Sequence, residues 1–167
     1  MTRSSEMPLE HTGTVGADWN ARYKPRELDH VTGQERAIRG LMGLLATGRL
    51  AHILLAGESG VGKTTLGRIY AQLRLCRKSA VGKACGQCRD CRILESGARH
   101  PLYFELSAAD ALGTKDELRA FLEDDLAFVP VGYSHYFIFL DEAHRLTVHA
   151  QDLLLKRMED PDSQIVF

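Results

Sequence analysis

The sequence predicts an α/β fold in which a parallel sheet lies between helices in three layers. Short apolar runs of strand length alternate with stretches whose apolar residues recur at helical spacing. A glycine-rich segment, Gly57 to Thr64, joins one such run to one such stretch. Tyr136-Phe137-Ile138-Phe139-Leu140 is apolar at every position, as expected of a central parallel strand buried on both faces.

The bulk properties suit one domain with a real core. The chain has 167 residues, 44% hydrophobic and 26% charged, which excludes a disordered chain. No apolar stretch approaches the roughly 20 residues that cross a bilayer. Residues 1–18 mix Ser, Thr, Gly, Glu and His without periodicity and lack the apolar middle of a secretory signal, so a flexible tail and a cytoplasmic location are expected. Net charge is −1, so any contact with nucleic acid must come from local patches or from an assembly of chains.

The elements follow in order. Thr32-Gly33-Gln34-Glu35 has capping-box spacing, and Ala37, Leu41, Leu44 and Leu45 continue as an amphipathic helix to about Thr47. Ile53-Leu54-Leu55-Ala56 reads as a strand, followed by the glycine-rich turn and a helix on which Leu66, Ile69 and Leu73 recur. Leu102 to Leu106 is a second strand. A second capping box, Thr114-Lys115-Asp116-Glu117, opens a helix carrying Leu118, Phe121, Leu122, Asp125 and Leu126. After the third strand, a helix from about Thr147 to Glu159 carries Ala150, Leu154 and Met158 and stops before Pro161. Gln164 to Phe167 begins a further strand.

Gly57-Glu58-Ser59-Gly60-Val61-Gly62-Lys63-Thr64 fits the phosphate-loop pattern G-x-x-x-x-G-K-[ST]. Its glycines let backbone N–H groups curl round phosphates at a helix N-terminus. Gly57, Glu58, Ser59, Gly60, Val61, Gly62, Lys63, Thr64 and Thr65 are therefore expected to bind the phosphates of a nucleotide, with Lys63 supplying a cation and Thr64 a hydroxyl for Mg²⁺. At the end of the third strand, Asp141 is expected to join the magnesium shell and Glu142 to orient or deprotonate the attacking water. An accidental glycine turn and a pair of solvated acids at a strand end are the blander readings. The strand–loop–helix context speaks against the first.

All four cysteines fall within 76–91, spaced C-x8-C-x2-C-x2-C. Cys76, Cys85, Cys88 and Cys91 can close a tetrahedron round structural Zn²⁺. Disulfides and redox work by the two C-x-x-C pairs are the rivals, and a cytosolic location argues against disulfides. Of the seven histidines, His144 and His52 are read as surface or packing residues rather than catalytic ones.

With these residues in view, residues 19 to 167 resemble the bacterial clamp-loader family of AAA+ P-loop ATPases. Ala21-Arg22-Tyr23-Lys24-Pro25, leading to Val31-Thr32-Gly33-Gln34-Glu35, is similar to the family's adenine-facing segment. The cysteine spacing after the phosphate-loop helix resembles its zinc module and is the most specific signal. Glu105-Leu106-Ser107-Ala108-Ala109-Asp110, and Leu154-Leu155-Lys156 with Glu159-Asp160-Pro161, also resemble family segments. The intact loop fits the family's motor subunit better than the subunit whose loop is degraded.

The resemblance implies a nucleotide-binding domain over 19–167 with a zinc module at 76–91, and ATP, Mg²⁺ and Zn²⁺ as cofactors. It implies an ATPase that works with the other clamp-loader subunits, the sliding clamp and primed DNA within the DNA polymerase III holoenzyme, away from membranes. The sequence stops at Phe167, inside the family's expected sensor strand, so the sensor residue, arginine finger, helical lid and collar fall outside it. The expectation is a truncated domain that is incomplete at its C-terminus, binds nucleotide weakly and turns it over poorly. Asp152-Leu153 also departs from the family's usual Asn-Ala. A non-catalytic, zinc-stapled nucleotide-binding fragment stays open as the alternative.

Overall fold

A computed structural model describes residues 24–80, 82–108, 115–126 and 129–167. The helices are α1 (Glu35–Ala46), α2 (Lys63–Leu75), α3 (Arg89–Ser96), α4 (Lys115–Ala120), which runs into a π-helical turn at Phe121–Asp125, and α5 (Val148–Glu159). The strands are β1 (Tyr103–Ser107), β2 (Tyr136–Asp141) and β3 (Ile165–Val166). They form one three-stranded sheet in the order β1-β2-β3, parallel throughout.

The register shows which helix covers which face. Tyr103 pairs with Phe137, Glu105 with Phe139 and Ser107 with Asp141, and since partners in a row share a face, these six lie on one side. Helix α2 packs there: Gly67 meets Phe139 so closely that a Cβ would fall 2.5 Å from the ring, and Arg68 forms a bidentate pair with Glu105. Phe104, Leu106, Ile138 and Leu140 point the other way, where Phe104 meets Phe121 edge-on at 5.2 Å between centroids. Helices thus cover both faces, as the sequence predicts. The main core joins Leu102, Leu118, Leu122, Ile138, Ala150 and Leu154. A second core clasps α1 to α2 through Leu28, Leu41, Leu66, Ile69, Tyr70 and Leu73.

Four expectations change. Ile53–Ala56 forms no strand. The Ile53 N–H donates to Phe167 O (2.8 Å), but the segment stays outside the sheet and Leu54 is 87% exposed. The first capping box is also not formed. A left-handed turn at Gly33 (φ 80°) places Gln34 at the N-cap without a side-chain bond, two residues past Thr32. Met158 is exposed, whereas Ala150 and Leu154 are buried as expected, because α5 meets the core along a narrow stripe. Helix α3 was not foreseen. Thr114 with its capping box, Ala109, Asp110 and the tail at 1–18 lie outside the described residues.

Candidate functional site

The glycine loop enters α2 through two left-handed residues, Gly60 (φ 81°) and Gly62 (φ 95°), conformations that strain any residue with a Cβ. The backbone amides of Glu58 to Val61 belong to an exposed loop with a tight turn at Ser59–Gly60. These amides sit at the N-terminus of α2, where the helix dipole adds positive potential. Lys63 folds back, donating from Nζ to Gly57 O (2.9 Å) and Glu58 O (2.7 Å). Its ammonium therefore lies against the loop it follows. Thr64 and Thr65 occupy the first turn of α2, and Ser59 lies exposed in the loop.

The end of β2 meets this turn from across the sheet. Thr64 Oγ1 donates to Asp141 Oδ2 at 3.3 Å, although 77 residues separate them. Two oxygens at that spacing fit adjacent positions of a magnesium octahedron, which are about 3 Å apart at Mg–O distances of 2.0–2.1 Å. The other Asp141 oxygen accepts from the Glu142 N–H (2.9 Å). Glu142 is the one described non-glycine residue with positive φ (51°), and it pairs with Arg145 at 3.0 Å in the open. His144 is exposed in the same turn, and His52 accepts the N–H of Phe167 at 3.2 Å. Neither histidine reaches the loop's chemistry.

The four cysteines converge at the other end of α2, where Cys76 is the C-cap. All four Sγ atoms lie within 4.8 Å of one another, with Cys85 and Cys91 at 4.0 Å. A tetrahedral thiolate site with Zn–S near 2.3 Å places sulfurs about 3.8 Å apart, so a small contraction would close it. The thiols are unpaired, which removes the disulfide reading. Backbone N–H groups reach the sulfurs of three: Cys85 N to Cys76 Sγ (3.3 Å), Cys88 N to Cys85 Sγ (3.3 Å) and Cys91 N to Cys88 Sγ (3.4 Å). These bonds favour thiolate. The N–H groups of Gln87 and Cys88 lower the Cys85 pKa to about 6, while burial pushes Cys76 and Cys91 up. Soft sulfur donors, close spacing and N–H support together fit zinc.

One group of residues near the cysteines has no signal in the sequence. Asp90 and His100 are both 2% exposed. Asp90 Oδ1 accepts from Tyr133 Oη (2.6 Å) and lies 3.3 Å from His100 Nε2, while the Leu102 N–H donates to His100 Nδ1 (3.1 Å). With Nδ1 accepting, Nε2 carries the proton and the ring is neutral, in keeping with a pKa lowered by burial. Arg77 lies over the Tyr133 ring at 4.9 Å and 3.8 Å from Asp90 Oδ2. This network ties α3 to the start of β1 and to the loop before β2. Its partners are 10 and 43 residues apart, which no local spacing rule detects.

The comparison with known families settles the lineage. The sequence model of the family described as "DNA polymerase III, delta subunit" matches residues 33–167. The chain belongs to this family. Among curated relatives, DNA polymerase III subunit tau of Escherichia coli strain K12 is 33% identical over 147 residues, 87% of this chain and 22% of that protein. Subunit tau of Bacillus subtilis strain 168 is 30% identical over 146 residues, 87% of this chain and 25% of that protein. Subunit gamma/tau of Mycobacterium bovis is 35% identical over 151 residues, with the same two shares. The chain therefore spans about a quarter or less of these relatives. Among the described residues, no helix is long and apolar enough to cross a membrane.

Proposed function

We propose that this chain is the ATP-binding, zinc-containing part of a clamp-loader motor subunit, a P-loop domain of the AAA+ type over residues 19–167. The observation that carries the reading is the meeting of Thr64 with Asp141 at 3.3 Å, beside an exposed glycine loop at the N-terminus of α2. In this reading the amides of Gly57 to Thr65 and the Lys63 ammonium hold the triphosphate of ATP. Thr64 and Asp141 are the residues for Mg²⁺, which would neutralise phosphate charge, and Glu142 orients the attacking water. Cys76, Cys85, Cys88 and Cys91 hold Zn²⁺ as a staple for the segment between α2 and β1. The names of the relatives, DNA polymerase III subunits tau and gamma/tau, support a place in that assembly. In this reading the partners are other clamp-loader subunits, the sliding clamp and primed DNA, in the cytoplasm.

The test is titration of the zinc-loaded chain with a fluorescent ATP analogue in the presence of Mg²⁺. Lys63→Ala removes a charged donor, so affinity is expected to fall roughly 10- to 100-fold, with unchanged zinc content. Equal binding by the variant would remove the loop from the function.

A second reading draws on Glu142, which points into solvent and is held by Arg145. A chain that binds ATP but turns over no faster when clamp and primed DNA are added would be the non-catalytic, zinc-stapled fragment.

A further inference from the structure

The charge of this chain is unevenly spread. Residues 74–99 carry seven Lys and Arg against two Asp and Glu, a net +5 within a chain of net −1. Even four thiolates with one Zn²⁺, which together carry −2, leave the segment positive.

Neither acid pairs with Arg89 or Arg92, although Asp90 lies 3.8 Å from Arg77 and Lys83 pairs with Glu27 at 3.0 Å. Asp90 is buried and bonded to Tyr133 and His100. Glu95 leans toward Gly86, where its Oε1 lies 3.8 Å from the position of a Cβ. Lys78, Arg89 and Arg92 are exposed and have no acidic partner among the described residues. Arg89 and Arg92 stand three apart on α3, so their guanidinium groups leave the same face. Helix stability does not account for Arg89, since a cation in the first turn opposes the helix dipole. Arg77, 61% exposed, and Arg99 stand over the rings of Tyr133 and Phe104, which pre-orders their planar forks.

We propose that this arginine face of the cysteine module, centred on Arg89 and Arg92, is a docking surface for the phosphate backbone of nucleic acid. The composition selects this partner over an acidic protein. A protein interface centres on exposed aromatic or aliphatic residues, and among the described residues of 74–99 no large hydrophobic side chain is exposed. Guanidinium groups without an apolar centre suit phosphate oxygens, which Arg engages through two parallel N–H bonds. The surface would add affinity without sequence preference.

The experiment is fluorescence anisotropy of a labelled 30-nucleotide single strand and of the matching duplex, titrated with zinc-loaded full-length chain across a salt series and without nucleotide. Failure here therefore leaves the triphosphate reading standing. Arg89→Glu with Arg92→Glu is expected to weaken binding about tenfold or more and to lower the salt slope by about 1.4–1.8, since each phosphate no longer neutralised takes away about 0.7–0.9. Zinc content serves as the folding control, and Arg89→Gln with Arg92→Gln replaces the pair if it falls. Unchanged affinity and slope would overturn the proposal. So would displacement of the oligonucleotide by poly-glutamate as effectively as by unlabelled DNA, which would point to an acidic protein instead.

Discussion

The phosphate loop and the cysteine cluster sit at the two ends of one helix, α2, with Lys63 in its first turn and Cys76 at its C-cap, and they are built on opposite terms. At the cysteine end, N–H groups already point at three sulfurs, two of the thiols are buried, and the Asp90 network closes behind them. At the loop end, the residues of the glycine loop are exposed, Lys63 bonds its own loop, and Thr64 reaches Asp141 at 3.3 Å. One end is pre-organised by the chain. The other keeps its polar groups free or self-satisfied, ready to exchange for a ligand. The helix of 13 residues between them spans about 20 Å, so the two ends need not share fate.

Cys88→Ser gives the largest expected effect. Cys88 supplies a sulfur and also caps α3 by accepting the Cys91 N–H. Structural zinc in small modules contributes on the order of 10–16 kcal/mol of apparent binding energy. Elemental analysis should show zinc falling from about one per chain to almost none, with a melting temperature lowered by more than about 10 °C. Below that temperature, ATP-analogue affinity should stay within about threefold of the parent, because only the far end of α2 is disturbed. Collapse of nucleotide binding along with zinc would show that the two ends act as one unit.

Gly67→Ala probes the opposite end with a smaller effect. Alanine gains roughly 0.5–1 kcal/mol over glycine in a helix interior. Here its Cβ would fall 2.5 Å from the Phe139 ring, an overpacking that costs about 1–3 kcal/mol. The clash wins, and it pushes α2 away from β2 two residues before Asp141. Separation of Thr64 from Asp141 should weaken Mg²⁺-dependent analogue binding about tenfold, while zinc content holds and melting falls by a few degrees. A stabilised variant with parental affinity would mean that α2 and β2 slide freely, and that the 3.3 Å contact does not define the site.

What the sequence made legible follows the range of the interactions. Strand β2 was readable because every residue from Tyr136 to Leu140 is apolar, and α2 because Leu66, Ile69 and Leu73 repeat and are all buried. The cysteines were readable because ligands three residues apart share one tight turn. The segment Ile53–Ala56 misled because a short apolar run fixes neither burial nor pairing, and Leu54 is 87% exposed. Helix α3 escaped notice since it is only eight residues long and takes a cysteine as its cap. The Asp90, His100 and Tyr133 contacts depend on α3, the start of β1 and the loop before β2 coming together, and no spacing announces them.

Tyr133→Phe sharpens the comparison most finely, because it removes one oxygen atom behind the cysteine end and touches nothing at the loop. The Tyr133 hydroxyl gives Asp90 a 2.6 Å bond, and the ring carries Arg77. Phenylalanine keeps the ring and its contact with the guanidinium but leaves Asp90 with His100 alone at short range. A bond to a buried carboxylate is worth about 1.5–3 kcal/mol, and removing one of its donors should lower the melting temperature by roughly 3–10 °C. Asp90 lies between Cys88 and Cys91 on α3, so a looser Asp90 should also let a chelator strip zinc faster. ATP-analogue affinity should not move. Faster zinc loss with unchanged nucleotide binding would place the rigidity of the cysteine end in the network that spans α3, β1 and the loop before β2. If zinc leaves no faster, the sulfurs and their backbone N–H groups hold that end by themselves.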